Sequence, residues 1–354
     1  MTSASQPMHD YLAGPDADAS LTVLNALPEA FFDASAASIH QILPGPTLIH
    51  LQGRRAEPVF VSTLLHGNED TGLKAMQALL AKYQFQELPR SLSLFIGNVR
   101  AAAFGKRLLD GQPDYNRVWP GCDTSGLPEH SIMQRVTDDM RERGVWASID
   151  IHNNTGLNPH YACVRQTGRE FLHLAALFTR IVVYFERPLG VQTGAFSAMC
   201  PSVTVECGKP GNPASEAQAA SFVEAVLHLD HFPEHPLPTS DIDLYHTVGT
   251  VKVQANASFT FGSEQADIRF PGEIDHMNFR TLPVGTVLGQ LSGARIPLDV
   301  WDESGRKVTD RFFEARGSDL VLRRAVVPAM ITLNAEVIRQ DCFCYFMEHM
   351  ERAD

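Results

Sequence analysis

VFVSTLLHGNEDTGLKAMQALLAKY, residues 59–83, passes from a short apolar run through the polar turn His66-Gly67-Asn68-Glu69 into an amphipathic helix over 71–83. A strand that is apolar on both faces and feeds directly into a helix opens a β/α unit whose sheet is covered on both sides. The same alternation recurs outward from this stretch. TLIHL (47–51), LSLFIGN (92–98), WASIDIH (146–152), RIVVYF (180–185) and SVTVEC (202–207) read as further buried strands. Between and after them, 128–143, 169–179 and 213–229 read as amphipathic helices, the last with Asn212 placed to cap it and Pro213 in its first turn. The fold class that follows is α/β, a mixed and largely parallel sheet with helices on both faces, spanning 45–232. Residues 1–44 form an N-terminal extension, with a short helix expected around LPEAFFDASAASIH (27–40).

The character of the chain changes after HFPEHPLPTS (231–240), where three prolines in ten residues predict a linker. Beyond it, short runs such as LYHTVGTVKVQA, TVLGQL and AVVPAMITLNAEVI are punctuated by Gly and Pro, which predicts a smaller all-β domain over 241–354, a barrel or a sandwich. A length of 354 residues suits two such units.

Composition narrows the function classes. With 44% hydrophobic and 20% charged residues the chain can bury a core, which sets it apart from disordered and fibrous sequences. The net charge of −12 and the absence of a Lys/Arg block argue against nucleic acid as a partner. No apolar run approaches a membrane span, and the first residues show no charged segment leading into an apolar one, so the expected location is the cytoplasm. The six cysteines show no CxxC pairing and are expected to be reduced and mostly buried; Cys342 and Cys344, two residues apart, read as packing on one strand face, with metal binding as the alternative.

Three buried strands end in polar residues that a sheet does not need for its own sake: His66 and Glu69 after VFVSTLL, His152 after WASIDI, and Glu206 after SVTV. In open α/β sheets ligands bind at the carboxyl ends of strands. Two histidines and a glutamate are the ligand set of a hydrolytic zinc site that keeps a fourth position open, so His66, Glu69 and His152 are the candidate metal ligands. Gly67 lets the backbone bend closely there. Asp150 shares a strand face with His152 and is placed to orient its ring. Glu206 has three readings: a further ligand, a base acting on water activated by the metal, or a carboxylate paired with Lys209. In an acidic protein, Arg107 and Arg117 beside strand ends suggest a substrate anion site.

Taken in order, HGNEDTG (66–72), Gly97-Asn98 followed after eight intervening residues by Arg107 and then by DYNR (114–117), DIHNNTG (150–156) and VECGKPG (205–211) resemble the succinylglutamate desuccinylase/aspartoacylase family, relatives of the zinc carboxypeptidases. The match covers roughly 58–215. The resemblance implies one zinc ion per chain on His66, Glu69 and His152, with Glu206 as general base. It implies that Arg107 polarises the scissile carbonyl or holds the oxyanion, and that Asn116 and Arg117 grip the substrate's α-carboxylate. One departure is the LLDGQP insertion (108–113) between Arg107 and Asp114. The implied activity is amide hydrolysis of an N-acyl amino acid or similar small carboxylate. A zinc carboxypeptidase acting on short peptides and a non-catalytic metal-binding regulator are the competing readings. Tyr245 and Tyr345 are candidates for an aromatic residue closing the site, and self-association into a homo-oligomer stays open.

Overall fold

The computed structural model describes residues 20–123 and 126–351; positions 1–19, with the leader reading and the start of the expected N-terminal extension, lie outside them. In chain order, β1 (Thr22–Leu24), β2 (Thr47–Leu51) and the long β3 (Gly53–Thr63) precede α1 (Thr71–Lys82). Next come β4 (Leu88–Ile96), α2 (Val99–Ala103), α3 (Pro128–Glu142), β5 (Ala147–His152), β6 (Tyr161–Val164) and α4 (Arg169–Ala176). Then follow β7 (Ile181–Tyr184), α5 (Gln192–Phe196), β8 (Ser202–Glu206) and α6 (Pro213–His228). Every strand and long helix read from the sequence up to residue 232 is present. Asn212 caps α6 by accepting the Ala214 N–H at 3.0 Å. The helix expected over 27–40 is instead two short 3-10 turns, Glu29–Phe32 and Ile39–Gln41. Between them Ser35 and Ser38 accept each other's backbone N–H groups, local bonding that competes with a continuous helix.

Contacts divide the chain into two compact units: Met1–His152 with Pro188–Thr204 and Gly211–Phe232, and Asn153–Arg187 with Val205–Pro210 and Pro233–Asp354. The chain therefore passes between units after His152, Arg187, Thr204 and Pro210 as well as in the 231–240 stretch.

In the first unit the strand order is β1-β2-β4-β3-β5-β8. β1 and β2, β3 and β4, and β3 and β5 pair in parallel, while β2 and β4 are antiparallel. The register sets Ser62 of β3 against Asp150 of β5, so the two strands end side by side. Beneath them lies an aromatic cluster. Phe60 stacks on Phe196 at 4.5 Å, and Trp119 meets Phe60, Phe95 and Phe196 edge-on at 5.7–6.3 Å. Each such fully buried ring contributes on the order of 1.5–3 kcal/mol through burial alone.

In the second unit β6, β7 and β9 (Asp243–Val253) pair in parallel. Cys344–His349 lies antiparallel on β9, Val327–Ala329 on that strand, and Leu298–Trp301 on β9 again. A separate five-stranded sheet holds Phe259–Thr260, Ile268–Arg269, Val287–Leu291, Asp319–Leu322 and Phe313–Arg316. The C-terminal region is thus β-rich, with its strands shared between two sheets. All six cysteines are free, and four of them are buried. Among the described residues no helix is long and apolar enough to cross a membrane.

Candidate metal centre

The turn after β3 begins with a strained residue. Leu64 has φ +52°, in the left-handed region that a branched side chain rarely occupies, and its carbonyl accepts the Asn98 N–H at 2.6 Å. The sharp bend buries Leu65 in the core and delivers His66 to the strand end. Gly67 follows, and the reason for a glycine differs from the one inferred from sequence. A Cβ there would lie 2.2 Å from the backbone nitrogen of Ala102 and 2.3 Å from the carbonyl carbon of Ala101. The glycine lets the ligand-bearing turn press against α2, and its N–H donates to the Arg107 carbonyl at 3.2 Å.

His66, Glu69 and His152 converge, with one donor atom from each lying within 4.8 Å of the others and all three residues buried. Both Nδ1 atoms face Glu69: His66 Nδ1 is 2.8 Å from Oε1 and His152 Nδ1 is 2.8 Å from Oε2. Both Nε2 atoms face other carboxylates. His66 Nε2 lies 3.0 Å from Asp114 Oδ1, and His152 Nε2 lies 2.7 Å from Asp150 Oδ2. Asp150 in turn accepts the Ser62 hydroxyl at 2.6 Å. With each ring held from behind by a carboxylate, the Nδ1 atoms and Glu69 are the donors left to converge on a cation, and two nitrogens with one carboxylate suit a divalent metal.

The electrostatics agree with that fit. Burial works against protonating His152, yet Asp150 and Glu69 outweigh it and hold the imidazole well above its ordinary value. Burial and Arg107 likewise oppose protonation of His66, and Glu69 and Asp114 together raise it. Burial disfavours the Glu69 carboxylate, but the two histidines push it strongly down. The cluster is built for positive charge at its centre, supplied by protons or by a metal.

Asp114 is the member that sequence reasoning missed as a site residue. Its Oδ1 also accepts the Asn116 N–H at 2.7 Å, and its Oδ2 holds Arg107 Nη2 at 2.9 Å. Burial raises its carboxyl, and His66, Arg107 and Arg117 more than reverse that, leaving it well below the usual range. Arg107 is buried, and its Nη1 stands 3.5 Å from Glu69 Oε1. Within DYNRVW, Tyr115, Val118 and Trp119 are buried in the core while the Asp114 and Asn116 side chains turn to the site, a division that no alternation in the sequence announces. The Asn116 side chain donates to Asp150 at 3.3 Å, lies 3.1 Å from His152 Nε2, and accepts the Gln192 N–H at 2.9 Å. Arg117 donates from Nη1 to the Asn116 carbonyl at 2.8 Å. In the 108–113 loop Gln112 exchanges hydrogen bonds with Asn98, the cap of α2, which pins the loop to the same helix that meets Gly67.

Glu206 belongs to the second unit, where it is buried and accepts from Asn154 Nδ2 at 3.3 Å. Tyr161 and Cys163 of β6 are close enough that its charge adds to burial in raising both groups well above their ordinary values. Tyr345 acts on Tyr161 in the same way, whereas Tyr245 packs against Phe279 and His349.

Residues 56–232 match the family model described as the succinylglutamate desuccinylase/aspartoacylase catalytic domain. Among solved structures, the succinylglutamate desuccinylase of Chromobacterium violaceum is similar, with a TM-score of 0.54 at 18% identity over 85% of this chain and 87% of that one. A succinylglutamate desuccinylase/aspartoacylase from Rhodobacter sphaeroides gives 0.55 at 14% identity, covering 85% and 88%. Murine aminoacylase 3 gives 0.53 at 15% identity, covering 84% and 96%. At these identities the likeness establishes the fold. A search of curated protein sequences finds no match.

Proposed function

Because the chain belongs to the succinylglutamate desuccinylase/aspartoacylase family, we propose that it is a zinc-dependent deacylase. It hydrolyses the amide bond of an N-acyl amino acid or similar small carboxylate, with one ion per chain on His66, Glu69 and His152. The observation that carries this reading is the convergence of the three donors, each imidazole backed by its own carboxylate, with the Arg107 guanidinium 3.5 Å from the glutamate ligand. When bound, the ion would polarise the scissile carbonyl and lower the pKa of the attacking water.

The chain's own groups supply the rest. Glu206 takes the proton of the attacking water and returns it to the leaving amine. Support for that role comes from its place as a buried carboxylate at the carboxyl end of β8. Arg107, steered by Asp114, offers N–H donors to the carbonyl oxygen as negative charge develops on it. Asn116 and Arg117 anchor the substrate carboxylate, which an acidic chain otherwise repels.

The test is metal analysis of the purified protein together with a substrate panel of N-acetyl and N-succinyl amino acids set against dipeptides. Stoichiometric zinc with turnover of an N-acyl amino acid supports the proposal. Faster turnover of dipeptides would make it a carboxypeptidase, and bound zinc without hydrolysis of any amide would make it a non-catalytic metal protein.

A further inference from the structure

The loop that follows the metal-ligand strand runs through Asn154, Thr155, Gly156 and Asn158, and it is locked to a distant part of the chain, Met330–Thr332. Gly156 leaves no space for a side chain, since a Cβ there would lie 2.0 Å from the Ile331 carbonyl oxygen. Thr155 and Thr332 join their hydroxyls at 2.8 Å. Asn278 grips Ile331 from another side, donating to its carbonyl at 2.8 Å and accepting its N–H at 2.9 Å. Held in this way, Met330 adopts φ +68°, a left-handed conformation that costs a non-glycine residue energy and persists where its surroundings fix it. The strained residue aims its N–H at Asn158 Oδ1, 2.9 Å away.

That single bond sets the direction of everything after it. A backbone N–H can only donate, so Asn158 must present its oxygen to Met330 and its amide nitrogen elsewhere. Asn158 Nδ2 donates to Asn154 Oδ1 at 3.1 Å. Asn154, with its oxygen so engaged, turns its own Nδ2 to Glu206 Oε2 at 3.3 Å. Asn154 is further fixed by its backbone N–H, which donates to the Gly208 carbonyl at 3.0 Å just beyond Glu206. Both amide orientations are therefore dictated by one end of the relay, and the last donor meets a group that accepts at both oxygens when ionised.

The geometry points to Asn154 and Asn158 as positioning residues that orient the Glu206 carboxylate, with the C-terminal segment 330–332 as the fixed point from which they take their direction. The inference rests on Glu206 acting as the base, and it assigns a task to the β-rich C-terminal region: it aims a catalytic group through two side-chain amides. A general base works only within hydrogen-bond reach of the proton it removes, so a turned carboxylate lowers turnover with little effect on ground-state binding.

The discriminating variant is Asn158→Asp in the full-length, zinc-loaded protein. Aspartate still accepts the Met330 N–H but has no N–H to give Asn154, so the clamp survives and the relay is cut. On the N-acyl amino acid that the wild type turns over fastest, kcat should fall by about 10- to 100-fold with KM within about twofold of wild type. The melting temperature should stay close to that of the parent. A crystal structure of Asn158→Asp should show the Asn154 amide rotated and the Glu206 carboxylate turned from it, a readout independent of turnover. Glu206→Gln, assayed beside it, separates the two levels. If Glu206→Gln is inactive while Asn158→Asp keeps wild-type kcat and an unmoved Glu206, the relay is overturned and the base stands. If Glu206→Gln keeps wild-type kcat, the base assignment falls and the positioning role falls with it.

Discussion

Asp114 Oδ1 lies 3.0 Å from His66 Nε2, while the other oxygen of the same carboxylate holds Arg107 at 2.9 Å. One side chain therefore orients a candidate metal ligand and the arginine proposed to meet the substrate's carbonyl oxygen. Asp114 is thus placed to couple metal binding to charge stabilisation, through His66 on one side and Arg107 on the other.

Replacing Asp114 by Asn keeps the shape but removes the charge and one acceptor. Zinc affinity should fall by about 10- to 100-fold, the usual cost of losing a partner behind a histidine ligand. Saturating zinc should refill the site without restoring kcat/KM, because Arg107 stays loosened. Competition against a chromophoric chelator and kinetics at excess zinc measure the two effects. Full activity at saturating zinc would show that Arg107 does not need Asp114.

Gly67→Ala addresses the turn itself. The added Cβ has backbone atoms of α2 at 2.2–2.3 Å, which no rotamer change can relieve, so the turn or the helix must move. Overpacking of this kind costs on the order of 1–3 kcal/mol. Because the displaced turn carries His66 and Glu69, zinc should be lost before the fold is. Isothermal titration with zinc alongside a thermal melt of the metal-free variant checks the order, and wild-type zinc affinity would contradict it.

The metal-free protein should have a pH dependence of its own. His66 and His152 have folded-state values raised above 6.5, so their contribution to stability is complete below that pH and is lost as pH rises through the raised values. Glu69 and Asp114 are depressed below 4.5 and 3.8, so theirs is present above those values and lost in acid. Melting temperature in the presence of chelator should peak between these limits and decline toward alkaline pH. Bound zinc would take the place of the protons at the centre of the cluster, so the stabilisation by zinc should grow as pH rises from about 6 to 9. A zinc-induced shift that shrinks over that range would contradict the proton-filled cluster.

Much of this was legible in the residues because strands buried on both faces read as unbroken apolar runs. VFVSTLL and WASIDIH announce β3 and β5, and the polar residues that end them stand out against that background. Asp150 is legible for the same reason, two positions before His152 on one strand face. Asp114 is not, since its partners come from other segments and no periodicity connects 66, 107 and 114. The purpose of Gly67 is hidden too, because close approach to α2 is a tertiary fact. β6, four residues long, carries too short an apolar run to be told from loop, although it places Tyr161 and Cys163 beside Glu206. The Asn158 relay is equally silent in sequence, because its direction is set by a backbone N–H 172 positions away.

Asn116 and Arg117 can be separated by the same logic of partners. Both are proposed to anchor the substrate carboxylate, but the Asn116 side chain already engages Asp150 and Gln192 and lies 3.1 Å from His152 Nε2, whereas the Arg117 guanidinium bonds the Asn116 carbonyl. Arg117→Ala should leave zinc affinity near wild type and cost about 1.5–3 kcal/mol of substrate binding, the worth of a hydrogen bond to a charged group. In KM that is roughly 10- to 150-fold. Asn116→Ala should raise KM and also weaken zinc, since His152 loses a neighbour that helps fix its ring. Zinc titration and steady-state kinetics on both variants give a two-by-two outcome. If Asn116→Ala changes KM alone, its amide serves only the substrate; if it changes zinc affinity alone, the carboxylate anchor is Arg117 by itself.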